Sequence, residues 1–218
     1  RINCYDNSTV DISNTRTNFV NLCGNSKAVV TSSTIYDDIS LNDNSSMVIT
    51  DSTCNVIHCY DSSMLNATNT SVAHMAMYED ASVSFVDSSV DNLFCYGQSR
   101  LKFDFSDAGY VHLSDGSCLS ACNSTFDSVE AYSGTSAYLK NSVVNYLYAD
   151  HNVSVTLADT FVSSPSYSDP SSVEIIDTQS PVILVISYYP SFPSETDTIT
   201  FTVQIRDMAI AEVILLYS

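Results

Sequence analysis

Apolar and polar residues follow a pattern along this chain that repeats about every eighteen residues. Within a repeating block, positions 2, 4, 9, 12 and 14 are mostly apolar or small, whereas position 7 is always Ser or Thr. A constant period of this length indicates a solenoid in which each block forms one coil. The second block holds one extra residue, and the blocks begin at Thr9, Lys27, Ser46, Met64, Ser82, Arg100, Cys118 and Ser136.

The apolar positions of one block form three short segments with a period of two residues, which predicts three strands per coil. Strands this short bury their inner faces only when equivalent strands of successive coils stack. We therefore predict an all-β fold, a parallel β-solenoid of eight to nine coils and about 40 Å in length. The sequence lacks the hexapeptide motif of left-handed solenoids, which favours a right-handed superhelix. An antiparallel sandwich is the alternative, but its turns would be irregularly spaced.

The chain divides into three predicted parts. Residues 1–162 form the solenoid, residues 163–172 form a linker, and residues 173–218 form a second module. The linker reads SSPSYSDPSS, a cluster of residues that favour turns. The second module has the alternation of strands, with apolar residues at Ile199, Phe201, Val203 and Ile205.

Residues 181–218 resemble the opening half of the immunoglobulin-like modules of archaeal and bacterial surface proteins, in which a Pro-x-x-Pro bend and an Asp-Thr strand start recur. The segment departs from them at Ala209, where such modules often have Gly, and it holds about three of roughly seven strands. The resemblance implies an incomplete sandwich that belongs to a longer chain or pairs with a neighbour. The solenoid also begins in mid-coil, since Ile2 and Cys4 match positions 12 and 14, and its first coil should offer free strand edges.

The chain is strongly acidic, with seven Lys and Arg against 25 Asp and Glu and a net charge of −18. This charge repels phosphate backbones, so we expect no nucleic-acid partner. No apolar run reaches the roughly 18 residues of a membrane span, so no membrane insertion is expected within this segment. Seven cysteines and six glycosylation sequons favour an extracellular, cell-surface location. The sequons begin at Asn7, Asn44, Asn66, Asn69, Asn123 and Asn152.

Position 16 is the first candidate for binding chemistry, because Asp43, Asp61 and Glu79 occupy it in successive coils. We expect these side chains to stack outside the rod at the strand spacing of about 4.8 Å. Three like charges so close together favour a bound divalent cation, and oxygen ligands indicate calcium. The alternative is a solvated acidic turn, because no Asp-x-Asp-x-Asp-Gly loop is present. Calcium is the candidate cofactor, and we expect the fold to require none.

The cysteines divide into an inward and an outward group. Cys23, Cys118 and Cys122 fall at outward positions, where they are candidates for disulfides between subunits. An extended chain separates Cys118 from Cys122 by up to roughly 13 Å, too far for a disulfide between them. Unpaired thiols are the alternative, since seven is an odd number. The cysteines predicted to point inward are Cys4, Cys54, Cys59 and Cys95.

Two further features bear on carbohydrate binding. Position 15 carries a column of tyrosines, which suits a sugar-stacking face, a subunit contact or an ordinary strand surface. Arg100 and Lys102 form the one basic cluster of the sequence. A carbohydrate-binding or carbohydrate-cleaving β-helix would use this pair with Tyr78 and Tyr96. The tyrosine column consists of Tyr5, Tyr60, Tyr78, Tyr96 and Tyr132.

We expect no enzyme activity, because the sequence lacks a Gly-x-Ser-x-Gly motif and its four histidines form no catalytic pair. The repeat joined to an immunoglobulin-like segment resembles prokaryotic, in particular archaeal, sheath, surface-layer and adhesin proteins. The resemblance implies a structural protein of the cell envelope or of an extracellular filament, which assembles with other copies of itself. An adhesin stalk with a distal binding domain is the remaining alternative.

Overall fold

The computed structural model describes residues 1–168, 172–178, 182–189 and 200–206 of the chain. Every regular element in these ranges is a β-strand, which confirms the predicted all-β class. The described residues accordingly contain no helix long and apolar enough to cross a membrane.

Two parallel sheets of ten strands each form the solenoid. The long-strand sheet contains, in spatial order, β1 (Ile2–Cys4), β3 (Arg16–Leu22), β5 (Thr34–Leu41), β7 (Thr53–Cys59), β9 (Ser71–Met77), β11 (Ser89–Cys95), β13 (Asp107–Leu113), β15 (Thr125–Ala131), β17 (Val143–Ala149) and β19 (Phe161–Tyr167). The short-strand sheet contains β2 (Thr9–Ser13), β4 (Lys27–Thr31), β6 (Ser46–Thr50), β8 (Met64–Thr68), β10 (Ser82–Val86), β12 (Arg100–Asp104), β14 (Cys118–Cys122), β16 (Ser136–Lys140), β18 (Ser154–Ala158) and β20 (Ser172–Ile176).

Each coil contributes one strand to each sheet, so the molecule is a parallel β-solenoid of about ten turns. Register between neighbouring coils is eighteen residues, as in the pairing of Val83 with Leu101. The period and the parallel stacking are therefore confirmed. Two details of the prediction are wrong: a coil holds two strands instead of three, and the coils number about ten instead of eight to nine.

The second and third predicted segments merge because the bend between them lies inside one strand. In the pairing of β11 with β13, Val90 pairs with Ala108 and Asn92 with Tyr110, while the residue between them is passed over. At this bend the chains approach closely, and a Cβ on Gly109 would lie 2.6 Å from the carbonyl oxygen of the preceding coil. Axial hydrogen bonding resumes after the bend, so the strand continues. The extra residue of the second block lies in β5, which has eight residues.

The core is the space between the two sheets. Positions 2 and 4 of the short strands and positions 9, 12 and 14 of the long strands face it, and nearly all of these side chains are buried. Phe85, Phe103 and Phe126 are its largest members, with ring centroids 5.2 Å apart for the first pair and 5.4 Å for the second. Burial of this continuous apolar column is the main force that holds the coils together.

Position 7 builds the corner between the short and the long strand, where the Ser or Thr side chain hydrogen-bonds in two directions. Ser106 Oγ donates to the carbonyl oxygen of Asp104 in its own coil at 2.9 Å. It also accepts the backbone N–H of Ser88 from the preceding coil at 3.1 Å. We call this column the hydroxyl ladder, and it explains why position 7 is always Ser or Thr. Its members are Thr15, Ser33, Ser52, Thr70, Ser88, Ser106, Ser124, Ser142 and Thr160.

The residue before each rung of the ladder, at position 6, has a positive φ between 48° and 52°. This left-handed conformation turns the backbone so that its N–H bonds to the following coil, as Asp87 N does to the carbonyl of Asp104 at 3.1 Å. Asn, Asp and Ser tolerate the conformation well, and eight of the nine positions carry one of them. The ninth is Phe105.

The second corner joins each long strand to the next short strand. In the coil around Asp61, whose φ is 56°, the N–H of Ser63 bonds to the carbonyl of Tyr60 at 3.1 Å. Position 18 of this corner points into the core and is usually Ser. Some of these buried hydroxyls, including that of Ser117, have no hydrogen-bond partner. Ala81 and Val153 occupy the same position and are equally buried, so this site does not require a hydroxyl.

The C-terminal part is described over short ranges. The solenoid sheets continue through β19 and β20, so residues predicted as linker contribute strands to the last coil. Beyond them, β21 (Val182–Tyr189) and β22 (Thr200–Arg206) form a two-stranded antiparallel sheet. The immunoglobulin-like module stays a prediction, and its departure at Ala209 lies outside the described residues.

Candidate functional site

The predicted column of carboxylates at position 16 forms a hydrogen-bonded ladder. Asp43 accepts the backbone N–H of Gly24 at 2.8 Å, and Asp61 accepts that of Asp43 at 3.1 Å. Glu79 continues the series by accepting the N–H of Asp61 at 3.3 Å. Each carboxylate thus caps the backbone of the coil before it, and these contacts give the acidic column a structural role in addition to its charge.

A ladder arranges its carboxylates along a line, whereas calcium is held by several oxygens that converge on one point. Within the described residues, no three His, Cys, Asp or Glu side chains converge in a way that could hold a metal ion. The calcium site at Asp43, Asp61 and Glu79 therefore stays a prediction that needs a separate test.

The division of the cysteines into two groups is confirmed by their exposure. Cys4, Cys54, Cys59 and Cys95 are buried in the core. Burial raises the pKa of the Cys54 and Cys59 thiols to about 12, because a thiolate is poorly solvated there. These thiols stay protonated at neutral pH and act as small apolar side chains.

The outward cysteines lie on the surface, with Cys118 exposed and Cys23 and Cys122 half-buried. Cys118 and Cys122 are the first and last residues of β14, on the outer face of the short-strand sheet. The hydroxyl of Ser136 donates to Cys118 Sγ at 3.2 Å. All seven thiols are free within this single chain, and disulfides between subunits through the outward group stay a prediction.

The six sequon asparagines are all exposed. Asn7, Asn44 and Asn152 lie at the second corner. Asn69 and Asn123 lie at the first corner, which joins each short strand to the following long strand. The sixth, Asn66, projects from the outer face of the short-strand sheet. Sugars on these residues would cover three different sides of the rod, but their attachment stays a prediction.

Three of the tyrosines at position 15, Tyr60, Tyr78 and Tyr96, stack on one another along the rod. Tyr60 and Tyr78 have ring centroids 4.9 Å apart with planes 5° apart, and Tyr78 and Tyr96 are 5.4 Å and 15° apart. Their faces therefore cover one another, and the rings present edges and hydroxyls to solvent. A sugar stacks on a free aromatic face, so this arrangement suits mutual stabilisation of the coils better than sugar binding.

The stack continues into a polar cluster that the sequence reasoning missed. Glu130 accepts the phenolic hydroxyls of Tyr110 at 2.8 Å and of Tyr132 at 2.9 Å. His112 lies between them, with its ring centroid 4.9 Å from that of Tyr132. These residues occupy positions 11, 13 and 15 of successive coils, so alignment of the outward positions would have revealed the cluster.

Burial and Glu130 together shift the protonation of this cluster. Desolvation raises the pKa of Tyr132 to about 12, and the hydrogen bond to the Glu130 carboxylate adds to the effect. The same two causes, in the same order, raise the pKa of Tyr110. Desolvation lowers the pKa of His112, although Glu130 and Asp115 oppose this shift. The cluster therefore holds neutral phenols and a neutral imidazole around one carboxylate at neutral pH.

A groove of about 490 Å³ lies on the outer face of the short-strand sheet, and we call it the basic groove. Arg100 and Lys102 line it, together with Tyr138 and several serines. Neither cation forms an ion pair with any residue that the structure describes. The tyrosines proposed as sugar-binding partners of this pair, Tyr78 and Tyr96, are not among the residues that line the groove.

A second groove of about 520 Å³ runs along the first corner, and we call it the acidic groove. Asp51, Asp87 and Asp107 line it with hydroxyls of the ladder. Phe105 also lines it, and 60% of this residue is exposed to solvent.

Comparison of the chain with protein-family models, with curated proteins and with solved structures finds no match.

Proposed function

We propose that the chain is a structural protein of a cell envelope or extracellular filament, in which solenoid rods assemble with other copies of themselves. The observation that carries this proposal is the axial continuity of the rod. Each coil joins the next through the same strand pairing, hydroxyl ladder and apolar column. A load applied along the rod is then shared by many equivalent hydrogen bonds, and local opening of one coil is opposed on both sides.

The proposed assembly joins the end strands of the sheets of separate copies. Within the described residues, β1 and β2 at one end and β19 and β20 at the other are paired on one side only. A strand of another chain that pairs with such an edge continues the parallel register. The predicted immunoglobulin-like strands would give a second route.

The surface chemistry is consistent with an exposed polymer outside the cell. The exposed sequons would place sugars on the sides of the rod, and the acidic corners keep those sides hydrated. The outward cysteines would allow covalent links between neighbours in an oxidising compartment.

The two alternatives differ in what they require. A carbohydrate-active β-helix would use free aromatic faces, and the mutual stacking of Tyr60, Tyr78 and Tyr96 does not favour it. An adhesin stalk shares the rod architecture and differs in carrying a distal binding domain.

Electron microscopy of the native material, with and without a reductant and a chelator, tests the proposal. We expect filaments, tubes or lattices that loosen under one or both treatments, since disulfides or calcium would reinforce the contacts. Dispersed single particles under every condition would contradict the proposal and favour the carbohydrate-binding or adhesin alternatives.

A further inference from the structure

Phe105 combines backbone strain with exposure to solvent. Its φ is 49° at a position where the eight equivalent residues are Asn, Asp or Ser. A bulky side chain is disfavoured in this left-handed region, so the residue costs stability. The phenyl ring is also largely in water, with 60% of the residue exposed, so it recovers little by burial within the chain. Strain that the fold does not require indicates a role outside the fold.

The surroundings of Phe105 define what it could contact. Asp87 and Asp107 line the same acidic groove as Phe105, so carboxylates accompany the ring on this surface. The ring with these two aspartates, which we call the acidic knob, suits a partner surface with an apolar floor and positive charge.

The basic groove of the same protein has these properties. Arg100 and Lys102 supply its positive charge, and Tyr138, which is 43% exposed to solvent, supplies its apolar surface. Neither cation is paired within the described chain, although the protein carries a net charge of −18. Arginine and lysine over an aromatic face, and against carboxylates, form the contacts that dominate many interfaces.

The outer face of the short-strand sheet is distinct from the rest of the surface in charge. It carries four of the seven Lys and Arg residues of the chain, Lys27, Arg100, Lys102 and Lys140. Its acidic residues are Asp11, Asp104 and Glu174. Two copies of an acidic protein repel each other, so a contact between them must place a face of this kind against carboxylates.

The outer face of the short-strand sheet is comparable in size with one side of a standard protein interface. Ten strands at about 4.8 Å spacing and five residues at about 3.3 Å each give an area of roughly 700 Å². A standard protein interface buries about 800 Å² on each partner.

We propose that the acidic knob of one copy docks into the basic groove of a second copy, and that this contact joins solenoid rods side by side. The proposal rests on the structural function above and adds the lateral contact to it. The acidic knob lies at the first corner and the basic groove lies on the adjacent sheet face. Each copy can therefore bind one neighbour through its knob and another neighbour through its groove. A contact between different surfaces leaves one of each kind free, so it continues into an open array unless the rotation between copies closes a ring.

The test uses the full 218-residue chain and two pairs of matched variants. Phe105→Asn removes the ring and is compared with Tyr36→Asn, which removes another exposed ring, on β5. Lys102→Glu reverses a charge in the basic groove and is compared with Arg16→Glu, an identical charge change on an exposed residue of the long-strand sheet. Sedimentation velocity measures association, and negative-stain microscopy distinguishes lengthening of rods from their lateral joining.

We expect Phe105→Asn and Lys102→Glu to weaken lateral association about tenfold or more, while both controls behave like the wild type. Because Asn relieves the strain, Phe105→Asn should also raise the thermal midpoint by about 2–4 °C. A stabilised variant that associates poorly excludes misfolding as the cause.

Three results would overturn the proposal. Lateral arrays of Phe105→Asn as strong as those of the wild type would do so, even if Lys102→Glu disrupts them, because the groove would then accept something other than the knob. Rods that lengthen but never join side by side would leave the structural function intact and remove this contact. Wild-type chains that stay monomeric at every concentration would contradict both proposals.

Discussion

The hydroxyl ladder leads to a quantitative prediction at two serines of the same coil. Ser106 and Ser117 are both buried, at 1% and 0% exposure. The hydroxyl of Ser106 is the acceptor for the N–H of Ser88, whereas the hydroxyl of Ser117 has no partner. Replacement of either serine by Ala removes one oxygen from a buried site. The two variants therefore differ mainly in hydrogen bonding.

In Ser106→Ala, one group loses its only partner, the buried N–H of Ser88. The carbonyl of Asp104 also loses the Ser106 hydroxyl but keeps its bond from the N–H of Asp87 at 3.1 Å. One orphaned buried N–H costs about 1–3 kcal/mol of unfolding free energy. Ser117→Ala removes an unpaired polar atom from the core, so its effect should lie between zero and about 1 kcal/mol of stabilisation.

Urea unfolding of the full chain, followed by far-ultraviolet circular dichroism, measures the difference. Unfolding midpoints are compared only between variants whose unfolding free energy depends on urea concentration with the same slope, since a solenoid can lose cooperativity between its coils. Ser106→Thr serves as the control that retains the hydroxyl, because Thr already occupies three rungs of the ladder. Its stability should stay close to that of the wild type.

The refuting result is equal destabilisation by Ser106→Ala and Ser117→Ala. The lost volume would then account for both effects, and the ladder would not explain why position 7 is Ser or Thr. Failure of Ser106→Thr to preserve stability would weaken the same reasoning.

The site geometry leads to further predictions for the cysteines, the tyrosine cluster and the acidic ladder. In the native chain a thiol reagent should label only the three outward cysteines, and mass spectrometry that finds a core cysteine labelled equally fast would contradict their burial. The pKa of Tyr132 is about 12 in the folded chain against an ordinary value of 10.0, so the unfolded chain loses this proton at lower pH. The free energy of unfolding should therefore fall as pH rises from about 10 to about 12. Glu130→Gln should lower the midpoint of tyrosinate absorbance, and an unchanged titration would exclude a role for the carboxylate. Asp61→Asn keeps the hydrogen-bond acceptor and removes a charge, so it should raise the thermal midpoint in calcium-free buffer. If calcium raises the thermal midpoint of the wild type and this variant abolishes that rise, the result would instead support a bound cation.

At low pH the stability of the fold depends on pH in the opposite direction, because of His112. The pKa of His112 is lowered in the folded state, so the unfolded chain binds a proton more readily as pH falls below about 6.5. The contribution of His112 to stability is therefore present above this pH and is lost on acidification.

The sequence by itself determined the coil. An eighteen-residue period, a fixed Ser/Thr position and apolar residues on one side leave one way to bury the apolar face, which is to stack equivalent strands. The inward positions of Cys54, Cys59 and Cys95 followed directly, since their columns are otherwise apolar. These features depend on composition within one block, and a single sequence displays them.

Only the tertiary structure decided how many strands a coil contains. A break in period-two alternation marks either a corner or a bend within a strand, and the two differ in whether hydrogen bonds to the neighbouring coils continue across it. At Asp91 and Gly109 the hydrogen bonds to the neighbouring coils resume at once. The break between the second and third predicted segments is therefore a bend within one strand. That outcome depends on the coils on both sides and is not visible within one block.

The outward clusters were likewise decided by tertiary contacts. Glu130 meets Tyr110 because residues twenty apart in sequence project from adjacent strands, and neither residue is unusual within its own block. Phe105 stands in the column of Asn and Asp residues, but only its backbone angle and its exposure distinguish it from a buried aromatic side chain. Local pattern determines which side of the strand a residue occupies, whereas the register between coils determines which side chains it meets.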